Sequence, residues 1–419
     1  MKRDKHKVTT RPMPESKKHH FYKELANHNW EDVISKTEID NKVETFHSYL
    51  RELLDKHFPE KVVFLSNLDK KWMNPQLKQL LRQIQRERLK RGRSKKFKDL
   101  STKFRKLKRA RIRSNTENVV NELKETQPGK WYQTIKKLGG LDQATCRLEV
   151  KALKGLSDEE CAEAVAESFA SVSQEYSPLD ITKLPAFLPA GKPEELNVFQ
   201  VFHTIKNMKK TKSTLPIDIP DELRKESALN LAKPMTDILN CCLRAGYFPA
   251  PWRREWVTPV PKTSPHQPKT LKEVRKIAST SDYSKVFEVF LRKWITEDIG
   301  NKIHINQFAG RRGAGTEHLM VDKILRMLDG PGGKAVVMSA IDWMGAFDRL
   351  DPTVTILKLI NMGCRPSIVP IVMEFLQDRR MTVRYNSAWS RWHSLVGGFP
   401  QGSWLGQMSY IAASDDAAS

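Results

Sequence analysis

The chain has 419 residues, 39% of them hydrophobic, so it is long enough for two or three domains with a substantial core. No stretch of eighteen apolar residues occurs and the start at Met1 lacks a signal peptide, which predicts an intracellular protein of the cytoplasm or nucleus, without a membrane span. The five cysteines show no Cys-x-x-Cys spacing, which favours free thiols over a disulfide framework or structural zinc.

Positive charge dominates the chain and is concentrated in one segment. The formal net charge is +23, and residues 71–113 contain eighteen Lys and Arg residues against two acids. Such a run can be a solvated helix face, but here few acids offset the repulsion, whereas phosphates would offset it. The segment therefore predicts binding to RNA or DNA, with four candidate contact residues, Arg105, Lys106, Lys108 and Arg109.

The N-terminal half has mainly helical patterns. Residues 1–70 are polar and predict a short helical lead-in. From Asn74 onward, apolar residues recur at spacings of three and four, which predicts helices with one packed face and one cationic face. Gly92 and Ser94 predict a break between two helices within this pattern. Residues 71–140 are therefore predicted to be a basic helical region.

Residues 141–193 are predicted to hold another helix and a linker. Ser157 and Glu160 form the sequence pattern of a capping box, which predicts a helix that runs to about Tyr176. Four prolines between residues 177 and 193 are incompatible with regular structure and predict the linker. From Glu194 to the end, helical patterns alternate with short apolar runs, which predicts an α+β domain.

Local signals are clear within this last domain. Asp351 followed by proline predicts a helix start, and Gly363 predicts its end. Residues 366–378 read as the next helix. Alternation over residues 381–385 predicts a strand. A turn after it is expected to reverse the chain, so that residues 392–396 form a hairpin with this strand.

Two short motifs near the C-terminus carry the most chemical information. An apolar run over residues 335–341 ends at Asp342, and Phe347 follows five residues later. About 50 residues further on, residues 397–403 form a glycine-punctuated turn that exposes the amide of Gln401. Carboxylates are the ligands that Mg²⁺ prefers, and glycine permits close approach of backbone to a ligand. Together the two motifs resemble the central motifs of a reverse transcriptase.

The wider succession of motifs resembles one family, the reverse transcriptases of non-long-terminal-repeat, LINE-like retrotransposons. The resemblance covers nearly the whole chain, from the basic region over residues 71–140, which includes Trp72-Met73 and Lys130-Trp131-Tyr132, to the glycine turn. Asp218-Ile219-Pro220 resembles a fingers segment that usually begins with a glycine absent here. The resemblance implies an α+β fold in which the basic helical region precedes an incomplete right-hand polymerase domain, fingers and partial palm, over residues 194–419.

The resemblance also implies roles for individual residues. Asp342 would be catalytic and hold Mg²⁺, and Phe347 would exclude a ribose hydroxyl and so select deoxynucleotides. Lys262 and Arg275 would grip the triphosphate, and Gln401 with Gly402 would lie against the nucleotide and template. The implied partners are an RNA template, a DNA primer and deoxynucleoside triphosphates.

Plainer roles stay open for each of these residues. Asp342 could cap a turn, Phe347 could belong to the core, and Lys262 and Arg275 could be ordinary surface charges. Asp218 could likewise cap a turn, and Asp348 could fix the turn before the next helix rather than bind metal.

The family pattern stops before the Tyr-x-Asp-Asp motif that supplies further metal ligands, and Asp415-Asp416 is expected to be part of a linker or a terminal tail. A polymerase region that is inactive as this chain is therefore the first hypothesis. The alternative is a non-catalytic nucleic-acid-binding remnant of a retroelement. A group II intron maturase would share the palm, but the basic segment and the Pro251-Trp252-Arg253 motif favour the retrotransposon family.

Overall fold

The computed structural model describes residues 5–66, 74–125, 148–175, 177–185, 193–209, 214–262, 268–308, 313–328, 345–386 and 388–415. The chain divides into two compact units. The first comprises Met1–His19 and Asp55–Glu149, and the second comprises His20–Leu54 and Val150–Ser419. Within the described residues, no helix has both the length and the apolar character needed to cross a bilayer.

The N-terminal part of the chain contains a strand pair and several helices. Strands β1 (Lys5–Thr10) and β2 (Lys61–Ser66) pair antiparallel, with Val8 opposite Val63. Asn74 caps the fourth helix by accepting from the Leu77 amide, and Gly92 ends it in the left-handed region at φ +62°. The predicted break near Gly92 is therefore confirmed. The elements are β1 (Lys5–Thr10), α1 (Glu15–Asn27), α2 (Glu31–Ile34), α3 (Ile39–His57), β2 (Lys61–Ser66), α4 (Pro75–Arg91) and α5 (Lys95–Glu125).

The second unit begins its C-terminal part with helices and then alternates helices with strands. Its elements are α6 (Asp158–Gln174), α7 (Val198–Asn207), α8 (Asp221–Glu226), α9 (Ala228–Ala245), β3 (Arg254–Pro261), β4 (Val274–Ser279), α10 (Asp282–Ile299), α11 (Thr316–Leu328), α12 (Pro352–Asn361), α13 (Val369–Leu376), β5 (Arg379–Tyr385), β6 (Ala388–Trp389), β7 (His393–Leu395) and α14 (Trp404–Ser414).

Several helix boundaries agree with their capping signals. Ser157 and Glu160 form both hydrogen bonds of the capping box at the start of α6. Asp351 accepts from the amides of Thr353 and Val354 at the start of α12. The predicted start of the following helix was wrong. A turn in which the Ile368 amide donates to the Arg365 carbonyl precedes α13, so that helix begins at Val369.

The strands of the second unit form one mixed sheet in the order β4-β3-β5-β6, and β7 also pairs with β5. Strands β3 and β4 are antiparallel, whereas β3 and β5 are parallel. The prediction of a strand followed by a hairpin after α13 is confirmed by β5, β6 and β7. A chain that combines many helices with one such sheet is compatible with the α+β class.

The core of the second unit contains an aromatic cluster around Phe248, which follows α9, and Phe287 of α10 and Phe375 of α13 belong to it. The Phe248 ring lies 5.6 Å from Phe287 and 5.0 Å from Phe375. His47 lies beside this cluster and accepts a hydrogen bond from the Trp252 indole at 3.0 Å. Its other ring nitrogen lies 2.9 Å from the Ile217 carbonyl. Burial lowers the pKa of His47 to about 4, so the ring is neutral at pH 7.

Asp218 is also buried in this unit and acts as a local cap. Its carboxylate accepts from the Ser281 hydroxyl at 2.7 Å and from the Asp282 amide at 3.0 Å, at the start of α10. Burial, followed by the charge of Asp282, raises the pKa of Asp218 to about 7. The plainer of its two roles, that of a capping aspartate, therefore accounts for its contacts.

Candidate active site

The turn over residues 345–350 contacts the glycine motif directly. Within the turn, the amides of Asp348 and Arg349 donate to the Gly345 carbonyl at 2.9 and 3.0 Å. The Phe399 amide donates to the Phe347 carbonyl at 2.7 Å, and the Gly398 amide donates to the Leu350 carbonyl at 3.0 Å. Two motifs that lie about 50 residues apart in sequence therefore form one joined surface.

Glycine at position 398 is required by this contact. Its φ is +74°, in the left-handed region. A Cβ atom there would lie 2.7 Å from the Asp348 carbonyl oxygen and 2.8 Å from the Phe347 carbonyl oxygen. Both neighbours are backbone atoms, so no side-chain rotation could relieve the overlap. We call this close approach the Gly398 contact.

The next residues of the motif lie against strand β4. The Ala278 amide donates to the Gln401 carbonyl at 3.3 Å. Gly402 has a φ of +132°, and a Cβ atom there would lie 2.6 Å from the Ala278 carbonyl oxygen. Gln401 is half-buried and Gly402 is exposed. The glycine motif thus connects the turn over residues 345–350 to the β3–β4 hairpin.

A buried carboxylate holds the helix that follows the motif. Glu288 on α10 is fully buried, and its Oε2 accepts from the Ser403 hydroxyl at 2.6 Å. The same oxygen accepts from the backbone amides of Trp404 at 2.8 Å and Leu405 at 3.3 Å. A carboxylate at a helix N-terminus satisfies free amides and complements the helix dipole. Glu288 therefore fixes where α14 begins and so fixes the end of the motif.

Phe347 lies at the edge of this surface. Its ring stacks on Tyr410 of α14 with the ring centres 5.0 Å apart and the planes inclined by 26°. The side chain is half-buried, so it is neither a fully enclosed core residue nor fully exposed. Its position between the turn and α14 leaves both the core role and the sugar-contacting role chemically feasible.

Lys262 and Arg275 lie on one side of the β3–β4 hairpin. Arg275 is opposite Val260, and the Lys262 amide donates to the Glu273 carbonyl at 2.8 Å. Alternation along β3 therefore puts both cationic side chains on the same face of the hairpin. Both side chains are exposed. We call this side of the sheet the open face.

The predicted metal ligand lies outside the described residues. Asp342 belongs to residues 329–344, of which the structure describes none. Across the described part of the chain, no group of three or more His, Cys, Asp or Glu side chains is arranged to hold a metal ion. Asp348 has a carboxylate oxygen 3.6 Å from the Lys276 ammonium. The described residues therefore do not form a Mg²⁺ site by themselves, and Mg²⁺ stays a prediction tied to Asp342.

Of the pair expected to lie in a linker or tail, Asp415 is described by the structure, and Asp416 lies outside the described residues. Helix α14 continues to Ser414, and Asp415 accepts from the His304 amide at 2.8 Å. Asp415 therefore has a structural contact at the end of a helix.

Comparison with curated proteins relates the chain to the RNA-directed DNA polymerases of non-long-terminal-repeat retrotransposons, as its motifs indicate. No protein-family model matches it. The chain is 27% identical over 255 residues to a probable RNA-directed DNA polymerase from transposon BS of Drosophila melanogaster, covering 59% of this chain and 27% of that protein.

Two further relatives from the same organism support this relationship. The chain is 30% identical over 189 residues to a probable RNA-directed DNA polymerase from transposon X-element, covering 43% of this chain and 20% of that protein. It is 23% identical over 244 residues to a 115 kDa protein of the type-1 retrotransposable element R1DM, covering 58% of this chain and 23% of that protein. The matched regions thus span about a quarter of the length of these relatives.

Proposed function

We propose that the chain forms the fingers and part of the palm of an RNA-directed DNA polymerase, which adds deoxynucleotides to a DNA primer on an RNA template. The observation that carries the proposal is the joined surface described above. The turn that contains Phe347 meets the glycine motif at Gly398 and Phe399, and that motif lies on β4. Such a surface can present a base-contacting loop next to an aromatic ring.

The side chains suit a nucleoside triphosphate. Lys262 and Arg275 put two exposed cations on the open face, and cations on a polyphosphate are a recurring arrangement in phosphoryl transfer. Asp342 would hold Mg²⁺, which when bound supplies charge stabilisation at the reacting phosphate. Phe347, which is only half-buried, would contact the sugar.

Two surfaces suit the nucleic acid itself. The described part of α4 and α5 exposes most of its many Lys and Arg side chains, including Arg105, Lys106 and Arg109. On the open face, the guanidinium of Arg384 lies 5.7 Å from the centre of the half-exposed Trp389 ring. Aromatic rings stacked with arginine are suited to unpaired bases. A polynucleotide is therefore a better match than a small anion alone.

A nucleotide-dependent binding assay tests this function without requiring turnover. The chain is bound to an RNA template annealed to a DNA primer with a 3′-dideoxy end, and dissociation is measured against a heparin trap. In the presence of Mg²⁺, only the complementary deoxynucleotide should slow dissociation. Asp342→Asn should keep the binary complex and abolish the nucleotide effect, because charge is lost but shape is not.

The same assay separates the alternatives. Phe347→Val should let the matching ribonucleotide slow dissociation as well as the deoxynucleotide does. Tight duplex binding with no nucleotide effect in the parent chain would instead support the non-catalytic nucleic-acid-binding remnant, which the cationic surface of α4 and α5 also favours. Unchanged discrimination by Phe347→Val would refute the role given to that ring.

A further inference from the structure

A buried ionic network lies directly behind the joined surface. It contains four side chains from three strands and one turn, namely Glu255 on β3, Lys276 on β4, Arg379 on β5 and Asp348. Glu255 and Arg379 are almost completely buried and Lys276 is 5% exposed, whereas Asp348 is half-buried. We call these four side chains the ionic network.

The contacts of the network run in one line from β5 to the turn. Arg379 donates through Nε at 3.1 Å and Nη2 at 2.8 Å to Glu255 Oε1. Lys276 Nζ lies 3.3 Å from Glu255 Oε2 and 3.6 Å from Asp348 Oδ1. Arg379 Nη1 also donates to the Gly398 carbonyl. Both halves of the Gly398 contact are therefore tied to the network, one through Asp348 and the other through Arg379.

The charge balance indicates why Asp348 belongs to the network. Burial alone would raise the pKa of Glu255, but Lys276 and Arg379 hold it below its usual range, so Glu255 is ionised. Its single negative charge balances only one of the two buried cations. Asp348 supplies the second negative charge, and an unbalanced buried charge is costly. Lys276 is thus drawn towards the turn as well as towards its own sheet.

We propose that Lys276 is a positioning residue that holds Asp348 in place. Through Asp348 it keeps the Phe347 ring in the position where the ring excludes a ribose 2′-hydroxyl. This inference rests on the proposed function. Lys276 lies on the face of β4 opposite to Arg275, so it acts through Asp348 rather than on the nucleotide. Sugar selection would then depend on a buried lysine as well as on the aromatic ring itself.

The variants are Asp348→Asn, Lys276→Met and Lys276→Arg. Asp348→Asn should disturb the buried part of the network less than Lys276→Met does, because Lys276 keeps Glu255 as a partner. Lys42→Met is the matched control, since Lys42 is a buried lysine of the same unit whose Nζ lies 2.7 Å from Asp237 Oδ2. It removes a buried ammonium group of similar environment without touching the network.

The first measurement is hydrogen exchange in a peptide that covers residues 396–403 of the full chain. Loss of the ion pair should loosen the turn, so the Gly398 and Phe399 amides should exchange about tenfold faster in Asp348→Asn and in Lys276→Met. Lys276→Arg should restore slow exchange, and Lys42→Met should leave it unchanged. Parent-like exchange in Asp348→Asn, or equally fast exchange in Lys42→Met, would overturn the inference.

The second measurement is deoxynucleotide against ribonucleotide discrimination in the heparin-trap assay. Asp348→Asn and Lys276→Met should reduce discrimination about tenfold while duplex binding stays at the parent level, and Lys276→Arg should retain it. A parent chain without any nucleotide effect would refute the proposed function, and with it the role in sugar selection. A parent that discriminates, with network variants that discriminate equally well, would refute the role of Lys276 alone.

Discussion

The Gly398 contact makes a quantitative prediction about stability. Replacing Gly398 by alanine adds one methyl group at a φ of +74°, next to two backbone carbonyl oxygens 2.7 and 2.8 Å away. The left-handed backbone should cost about 1–2 kcal/mol for any residue with a Cβ atom. The overlap should cost about 1–3 kcal/mol more, because the turn over residues 345–350 must shift.

Gly363 provides the matched control for this change. It has the same φ of +74° and lies in the same unit, but its added Cβ would meet only the end of the Lys302 side chain. That flexible ammonium group can move away. Gly363→Ala should therefore cost about 1–2 kcal/mol for the backbone alone, so the difference between the two variants isolates the overlap at Gly398.

Urea unfolding followed by tryptophan fluorescence measures both costs. At an equal m value, the unfolding midpoint of Gly398→Ala should lie below that of Gly363→Ala by an amount that corresponds to about 1–3 kcal/mol. Equal midpoints for the two variants would show that the turn does not press against the glycine motif, and the joined surface would then be wrong.

Two other predictions concern charge. In the first, Arg105, Lys106, Lys108 and Arg109 are replaced together by glutamine, and the slope of log affinity for a nucleic acid against log salt concentration should become shallower by about 3. The same change at the control residues Lys151, Lys154, Lys269 and Lys272 should have less effect on the slope. Equal slopes for both variants would contradict a specific role for α5. The second concerns His47, whose pKa is lowered to about 4 by burial, so that the unfolded chain takes up a proton at this residue before the folded chain does as the pH falls. The stability that neutral His47 contributes is therefore complete above about pH 6.5 and is lost towards pH 4. The free energy of unfolding should fall by on the order of 3 kcal/mol across this range. His47→Phe should show a flatter pH dependence than the parent in urea unfolding, and an identical pH dependence would contradict the neutral buried ring.

Local signals in the sequence predicted local structure well. The capping box at Ser157, the Asp351-Pro352 start and the break at Gly92 each depend on residues within one turn of the helix end, so they are visible without knowledge of the fold. The glycine motif was also visible, because glycines at Gly398 and Gly402 mark places where backbone approaches backbone.

The residues behind the site could not be predicted in this way. Glu255, Lys276, Arg379 and Glu288 are charged, and charged residues are usually exposed, so nothing in their sequence neighbourhood distinguishes them from surface residues. The Glu255–Arg379 pair is separated by 124 residues, and Glu288 lies more than 110 residues before the amides that it accepts from. Only the pairing of distant strands and helices brings such groups together. Asp342, and the other residues between 329 and 344, lie outside the described structure.

The carboxylate of Glu288 has a consequence for how phosphate can be recognised. A helix N-terminus beside a nucleotide commonly binds phosphate through its free amides. At the start of α14, the amides of Trp404 and Leu405 are already engaged by Glu288, and the Gly406 amide donates to Ser403 Oγ. An incoming triphosphate would meet an end of the helix that is already neutralised by an internal anion. Under the proposed function, recognition of the phosphates would therefore depend on exposed cationic side chains rather than on the free amides of this helix.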